Sequence, residues 1–111
     1  MNNYINLYID DLRKVPDNFI CARNYNKAIN YLNNYNINIL SLDHDLGEEK
    51  TGYDIVKYIC MNNIKINSIY IHTDNVVGRE NMYSTLIAAQ KRSIIDSNIK
   101  IYSYPYCDNI Y

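Results

Sequence analysis

Residues 37–45, Ile-Asn-Ile-Leu-Ser-Leu-Asp-His-Asp, form a short apolar run that ends abruptly in three titratable side chains. Polar residues bound the run on both sides, which predicts a buried strand. A loop that contains Gly47 and Gly52 follows, and a helical pattern begins after the loop. Ligands of parallel α/β sheets bind just outside the carboxyl ends of the strands. We therefore expect the Asp-His-Asp ending to lie where such folds keep their binding sites.

Alternating strand-like and helical patterns fill the rest of the chain. Runs rich in β-branched and aromatic residues predict four more strands, at 4–9, 19–22, 69–71 and 99–104. Apolar residues at helical spacing predict three helices, which begin near residues 24–26, after Gly52 and after Gly78. Residues 12–18 contain Pro16 and predict a loop that is too short for a full helix. This order predicts a five-stranded, mostly parallel sheet with right-handed crossovers, built as one α/β domain over residues 1–111.

The composition fits a small globular protein without a broad charged surface. The chain has 111 residues, 48% of them hydrophobic, and a formal net charge of −1. Such a charge gives no overall attraction to nucleic acid or to a membrane, so any anion site must be local. No apolar run approaches the ~18 residues that a membrane span needs, and the first residues lack a signal-peptide pattern. Cys21, Cys60 and Cys107 fit neither a disulfide framework nor a zinc motif, so we expect reduced thiols in the cytoplasm.

Three of the expected strands end in polar residues at one edge of the sheet. Asp10-Asp11 follows the first strand, Asp43 ends the third, and His72-Thr73 follows the fourth. Crowded carboxylates repel one another unless a cation lies among them, and Mg²⁺ prefers carboxylate oxygens and often shares a phosphate. Asp10, Asp11 and Asp43 therefore predict a pocket for Mg²⁺, or for Mn²⁺, and a phosphate. The alternative is a set of solvated strand ends.

Both histidines of the chain, His44 and His72, lie in these strand endings. Histidine is the side chain best suited to exchange protons near neutral pH, and two of them suit a phosphoryl reaction as base and acid. We therefore predict Asp43, His44 and His72 as catalytic residues. Asp43 is either a metal ligand or a nucleophile, and the sequence leaves both roles open. Either histidine can instead be a hydrogen-bonded structural residue.

The segment after His72 offers groups that bind phosphate. Gly78-Arg79-Glu80-Asn81 opens the third helix, and a helix N-terminus presents N–H groups and partial positive charge to an anion. Arg79 adds a bidentate fork, and Asn81 can donate to an oxygen. Arg13 lies two residues past Asp11 and is a candidate for a second clamp. The alternative for each arginine is a solvated surface position.

The three strand endings belong to longer segments that carry a recognisable pattern. These segments are Asp10-Asp11-Leu12-Arg13, Asp43-His44-Asp45-Leu46-Gly47 with Thr51-Gly52-Tyr53-Asp54, and His72-Thr73 with Asn75, Gly78 and Asn81-Met82. Over nearly the whole chain, the pattern resembles the cyclic-phosphate-processing receiver family. The resemblance implies a receiver-like, flavodoxin-like three-layer fold, and this chain departs from ordinary receivers because the loop at residues 12–18 replaces their first helix. It also implies action on a cyclic phosphate of a nucleotide or RNA end, with Thr73 and Asn75 among the residues that contact this substrate.

The chain departs from ordinary receivers where they carry a lysine. Tyr104, instead of lysine, precedes Pro105 after the last strand. In receivers this lysine contacts the acyl phosphate, so its replacement argues against a conventional phosphorylation switch. We therefore expect a metal-dependent phosphoesterase that opens a cyclic phosphodiester. Two alternatives are a signalling receiver phosphorylated on Asp43 and a non-catalytic binder of a cyclic nucleotide, and the sequence does not indicate an oligomeric state.

Overall fold

The computed structural model describes residues 4–107 as a parallel sheet of five strands with three helices. The strands are β1 (Tyr4–Ile9), β2 (Ile20–Ala22), β3 (Asn36–Leu42), β4 (Ile66–Ile71) and β5 (Lys100–Tyr102). The helices are α1 (Tyr25–Asn34), α2 (Gly52–Asn62) and α3 (Val76–Lys91). The strand order is β2-β1-β3-β4-β5, and every neighbouring pair is parallel. These elements confirm the predicted receiver-like, flavodoxin-like α/β fold.

Two strands differ from the prediction by more than one residue at one end, because strand pairing sets their ends. β4 begins at Ile66, three residues earlier than expected, where Ile66 pairs with Ile37 of β3. β5 ends at Tyr102, where it pairs with Tyr70, although the β-rich pattern continues to residue 104. None of the helices in residues 4–107 is both long enough and apolar enough to cross a membrane.

All three helices lie on one face of the sheet. The crossovers β2-α1-β3, β3-α2-β4 and β4-α3-β5 move in the same direction across the sheet, and right-handed crossovers of one direction place their helices on one side. In agreement, α2 packs against both α1 and α3. Beneath the helices, the cross-strand rows Leu7-Leu40-Ile69 and Ile9-Leu42-Ile71 belong to a single buried core.

Loop segments pack on the opposite face of the sheet. The connection from β1 to β2 moves in the reverse direction across the sheet and is a loop, as predicted for residues 12–18. Its last residue, Phe19, packs edge-on against Tyr8 with 6.1 Å between ring centroids. Tyr106, which follows β5, lies 5.3 Å from Phe19 and 5.2 Å from Tyr70. The third layer is thus reduced to loops, and Tyr70 and Tyr102 on this face are only partly buried.

Candidate functional site

The carboxyl edge of the sheet brings Asp10, Asp43 and His72 together. The parallel pairing continues one residue past the strands, because the backbone N–H groups of Asp43 and His72 donate to the carbonyls of Ile9 and Leu42, both at 3.0 Å. One ligand atom from each of the three side chains lies within 4.8 Å of the other two. Three residues from distant parts of the chain therefore form one compact polar group.

Asp10 is 1% exposed, and hydrogen bonds hold it as a carboxylate. Its Oδ1 atom accepts hydrogen bonds from the backbone N–H groups of Leu12 and Arg13, at 2.8 and 2.9 Å. Its Oδ2 atom lies 2.9 Å from Nε2 of His72. Burial by itself raises the pKa of Asp10, but these hydrogen bonds outweigh burial and lower the pKa below its ordinary value. Asp10 is therefore negatively charged at neutral pH.

His72 is a buried neutral imidazole with both ring nitrogens engaged. Burial lowers the pKa of His72, although the neighbouring Asp10 carboxylate opposes this shift. The Nδ1 atom lies 2.6 Å from Oγ of Ser41, and the ring stacks on Tyr8 with 4.3 Å between centroids. A carboxylate can only accept hydrogen bonds, so Nε2 donates to Asp10 and Nδ1 accepts from the Ser41 hydroxyl.

Ser41 and Tyr8 were not among the residues predicted from the sequence. Ser41 is the one polar residue between Ile39 and Leu42, and a polar side chain inside an apolar strand is the signal that marks it. The strand register places Ser41 beside Tyr8 on β1 and beside the strand β4 that carries His72. A serine is small enough for the His72 ring to lie over it and reach Tyr8 and Asp10.

The pKa of Asp43 is shifted in the opposite direction to that of Asp10. Burial raises the pKa of Asp43, and the negative charge of Asp10 raises it further, while hydrogen bonds from the Thr73 hydroxyl and the His44 backbone N–H partly lower it. A raised pKa is expected when two buried carboxylates share a site without a cation. Together with His72, these carboxylates provide a donor set that fits a divalent metal ion.

Asp11, the third predicted metal ligand, lies outside this group of potential metal ligands. Its side chain lies over Gly47, where an added Cβ would be 2.6 Å from Oδ2 of Asp11. Gly47 has a φ of 68°, in the left-handed region that favours glycine. The structure thus offers Asp10, Asp43 and His72 as donors. Carboxylates suit Mg²⁺ or Mn²⁺, whereas an imidazole ligand favours a transition metal over Mg²⁺.

His44 lies against the first turn of α3, and it is more accessible than His72. A Cβ added to Gly78 would be 2.5 and 2.6 Å from the Cγ and Cδ2 atoms of His44, so the ring covers this glycine closely. The Nδ1 atom of His44 lies 3.0 Å from Oδ1 of Asp45 and 3.4 Å from Nδ2 of Asn75. The side chain is 19% exposed, which allows contact with a ligand.

The start of α2 fixes the backbone that carries Asp43 and His44. The N–H of Gly52 donates to the carbonyl of His44 at 2.7 Å, and a Cβ added to Gly52 would collide with the carbonyl oxygen of Asp43. Thr51 and Asp54 form a capping box, in which Oδ2 of Asp54 accepts from the Thr51 N–H at 2.8 Å. The helix therefore begins directly against the end of β3.

Arg13 spans the space between Asp10 and Asp74 at the rim of the group. Its Nε atom lies 3.7 Å from Oδ2 of Asp10, and its Nη2 atom lies 3.2 Å from Oδ2 of Asp74. Because Arg13 is 43% exposed and Asp74 is fully exposed, the pair with Asp74 is weak and easily exchanged for another anion. Arg23, which was not predicted, donates from Nη1 to the carbonyls of Arg13 at 2.6 Å and Asp10 at 3.2 Å and so supports this loop.

The other predicted substrate contacts lie at or near the start of α3. The Thr73 hydroxyl bonds to Asp43, and Asn75 caps α3 through its side-chain oxygen. Arg79 reaches back from the helix, and its Nη1 atom donates to the carbonyl of Thr73 at 3.3 Å. Asn81 is exposed and lies in a groove between α3 and the residues after β5, away from the carboxylates. The structure therefore gathers Thr73, Asn75 and Arg79 at the group and leaves Asn81 beside it.

A second cavity, of about 880 Å³, lies at the opposite edge of the sheet, near the amino ends of β4 and β5. It is lined by residues 63–68 and 93–100, and none of them is a histidine. We place the candidate site at the carboxyl edge because the buried carboxylates and both imidazoles lie there, and because parallel sheets bind ligands at that edge.

Comparison with known proteins shows the family of the chain. A search of curated proteins and of solved structures gives no match. A sequence model of the cyclic-phosphate processing receiver domain matches residues 5–88, which include Asp10, Asp43, His72, β1 from its second residue and the elements from β2 to β4. This chain belongs to the family of cyclic-phosphate processing receiver domains.

Proposed function

We propose that the protein is a metal-assisted phosphoesterase that opens a cyclic phosphodiester of a nucleotide or an RNA end. The observation that carries this proposal is the buried group of Asp10, Asp43 and His72, whose donor atoms lie within 4.8 Å of one another in a cyclic-phosphate processing receiver domain. A strand edge with two carboxylates and an imidazole is a costly arrangement for a protein that has no cation to bind there.

Asp10 and Asp43 would hold Mg²⁺ or Mn²⁺ in this proposal. A bound divalent cation supplies Lewis-acid polarisation of the phosphoryl oxygens and offsets their negative charge. Asp10 suits this position because it is already a carboxylate in the folded protein. Asp43 suits it because a nearby positive charge would counteract the burial and the repulsion from Asp10 that raise its pKa.

The two histidines have different surroundings, so we assign them different parts. His44 is partly exposed, and within residues 4–107 the hydrogen bonds of its ring all involve Nδ1, so Nε2 can exchange a proton with water or with the leaving oxygen. His72 is buried with Nε2 on Asp10 and Nδ1 on Ser41, and it would transfer a proton only after breaking one of these hydrogen bonds. It therefore orients Asp10, and Nε2 would be a third metal ligand only in the other tautomer, in which the proton lies on Nδ1 and is donated to Ser41.

Positive groups surround the position that a phosphate would take. Arg13 can exchange its exposed partner Asp74 for a phosphate oxygen while it stays close to Asp10. The first N–H groups of α3 and the guanidinium of Arg79 lie beyond Thr73. These groups would stabilise the negative charge that grows on the phosphoryl oxygens during the reaction.

The direct test is turnover of 2′,3′-cyclic and 3′,5′-cyclic nucleotides with Mg²⁺, with Mn²⁺ and with EDTA. We expect hydrolysis that requires metal, a loss of about 100-fold or more in His44→Ala, and no detectable turnover in Asp43→Asn. Asp17→Asn, which changes an exposed carboxylate elsewhere, is the matched control. Folded protein that leaves every nucleotide intact with both metals would contradict the proposal, and tight binding without product would indicate a cyclic-nucleotide binder.

One contact favours a second candidate, a signalling receiver phosphorylated on Asp43. The hydroxyl of Thr73 bonds to the Asp43 carboxylate, and such a hydroxyl would also contact a phosphoryl group on that side chain. Incubation with a small phosphodonor, followed by intact-mass measurement, separates the candidates. A stable adduct on Asp43 supports signalling, whereas an adduct that forms only during cyclic-phosphate turnover identifies Asp43 as a nucleophile.

A further inference from the structure

A groove of about 770 Å³ lies between α3 and the residues after β5. One wall is the first half of α3, with Arg79, Asn81 and Tyr83, and the other wall is the segment Ser103–Pro105. Pockets that bind small ligands are roughly 300–1,000 Å³, so the groove has room for a nucleoside.

Thr73 connects the acidic group to Arg79, which lines the groove. Thr73 bonds to Asp43 through its hydroxyl, and its carbonyl accepts the hydrogen bond from Nη1 of Arg79 at 3.3 Å. Arg79 also lines the groove. A molecule whose phosphate meets Asp43 and Thr73 can therefore extend past Arg79 without leaving the protein surface.

Tyr104 gives the groove a rigid aromatic surface. Tyr104 is 55% exposed. Its ring packs against that of Tyr102 with 5.3 Å between centroids, and Tyr102 in turn stacks on Tyr70 at 4.6 Å. A ring anchored in this way loses little freedom when a flat ligand stacks on it, because neighbouring rings already fix its orientation.

The charges of the groove suit an uncharged portion of a ligand, such as a base and its sugar. Arg79 and Glu80 both line it and balance each other, so the groove does not attract a second phosphate. Asn81 and Ser84 supply donors and acceptors that can meet the edge of a base or a ribose hydroxyl.

We propose that this groove binds the base and sugar of the substrate, with Tyr104 as the stacking platform and Arg79 as the link to the phosphate. The inference rests on the proposed function of the Asp10, Asp43 and His72 group. It gives the base and sugar of that substrate a binding place, and it predicts that small cyclic phosphate esters without a base are poor substrates.

The first experiment compares two substrates, adenosine 2′,3′-cyclic phosphate and glycerol 1,2-cyclic phosphate, which lacks a base. In Tyr104→Ala, the KM for the nucleotide should rise about tenfold, and the preference for the nucleotide over the glycerol ester should fall by the same factor. Tyr104→Phe should keep the preference. Tyr35→Ala removes another exposed tyrosine, outside the groove, and is the matched control.

The second experiment does not depend on turnover. Adenosine 2′,3′-cyclic phosphate is added to the metal-free Asp43→Asn protein, and amide resonances are followed by NMR. Shifts at Ser103, Tyr104 and Asn81 support the groove even if the protein hydrolyses nothing. The groove proposal is overturned if these resonances stay unchanged, or if turnover of both substrates occurs with equal KM, and in the latter case the phosphoesterase proposal stands.

Discussion

The Oδ2 atom of Asp10 lies 2.9 Å from Nε2 of His72, while Nδ1 of the same ring lies 2.6 Å from Oγ of Ser41. All three side chains are at most 2% exposed. These hydrogen bonds fix the orientations of the Asp10, His72 and Ser41 side chains. Because burial keeps the imidazole neutral, the three side chains carry one charge, which is on Asp10. Because a carboxylate can only accept, Asp10 determines that Nε2 of His72 bears the proton, and the Ser41 hydroxyl donates to Nδ1.

Replacing Ser41 by alanine should test the hydrogen bond between Ser41 and His72. Ser41→Ala leaves Nδ1 of His72 buried without its donor, and we expect the free energy of unfolding to fall by about 1–3 kcal/mol. The ¹⁵N resonance of Nδ1 in the His72 ring should also shift, because Nδ1 loses its hydrogen bond while Asp10 keeps the proton on Nε2. Urea unfolding and long-range ¹H–¹⁵N spectra measure both effects. Ser68→Ala, on the same sheet face but more exposed, is the control, and equal losses in the two variants would contradict the assigned role.

Asp43 should reduce the stability of the metal-free protein at neutral pH. Its folded pKa lies above the ordinary value of 3.8, so the folded state binds more protons than the unfolded state just above pH 3.8, and stability falls as pH rises through the folded pKa. The unfavourable charge is then fully present at pH 7. We expect Asp43→Asn to be more stable than the wild type at pH 7 in EDTA, with an advantage that shrinks toward pH 4. Urea titrations across this range test the sign, and a variant that is less stable at pH 7 would disprove it.

Divalent metal ions should raise the melting temperature through the Asp10 and Asp43 group. Saturation at about 100 times Kd adds about 2.7 kcal/mol, which is roughly 10 °C or more for a domain of this size. Thermal scans with Mg²⁺, Mn²⁺ and EDTA, on the wild type and on Asp43→Asn, measure this shift. If Nε2 of His72 is a ligand, Mn²⁺ acts at lower concentration than Mg²⁺. The control Asp17→Asn should keep the shift, and a shift that also persists in Asp43→Asn would assign the metal to another place.

The contact between His44 and Gly78 should appear in a double-mutant cycle. Gly78→Ala places a Cβ 2.5 Å from Cγ of His44, so the ring must move, and cyclic-phosphate turnover should fall. Alanine is otherwise better than glycine in a helix by about 0.5–1 kcal/mol. We therefore expect Gly78→Ala to stabilise the protein by that amount in a His44→Ala background and by less in the wild type. Equal effects in both backgrounds would mean that the two residues do not interact.

The sequence predicted which strands end at the site, because polar residues directly follow apolar runs. Asp10, Asp43 and His72 were all predicted from this pattern. The loop that replaces a helix after β1 was predicted from Pro16 and from the short length of residues 12–18. The choice between Asp10 and Asp11 could not be made from the sequence. Adjacent residues at a strand end point in different directions, and only the register of β1 against β3 shows which one shares a row with Asp43.

The surroundings of each group depend on contacts between distant segments, which no local pattern encodes. Nothing near Ser41 in the chain indicates that His72 lies over it, since the two meet only when β3 and β4 pair. The same holds for the two histidines, which look alike in the sequence. One is buried with both nitrogens bonded, and the other covers Gly78 near the surface.

Gly52 makes position 52 a diagnostic column for aligning related chains. Its missing side chain lets the start of α2 touch the carbonyl of Asp43, so any larger residue would force the two segments apart. A homologue that has the Asp-His-Asp tripeptide but lacks this glycine must have a different backbone at this turn. The positions of its site residues should therefore not be inferred from the tripeptide. In a homologue that has both this glycine and the tripeptide, by contrast, the same arrangement of Asp43 and the start of α2 is expected.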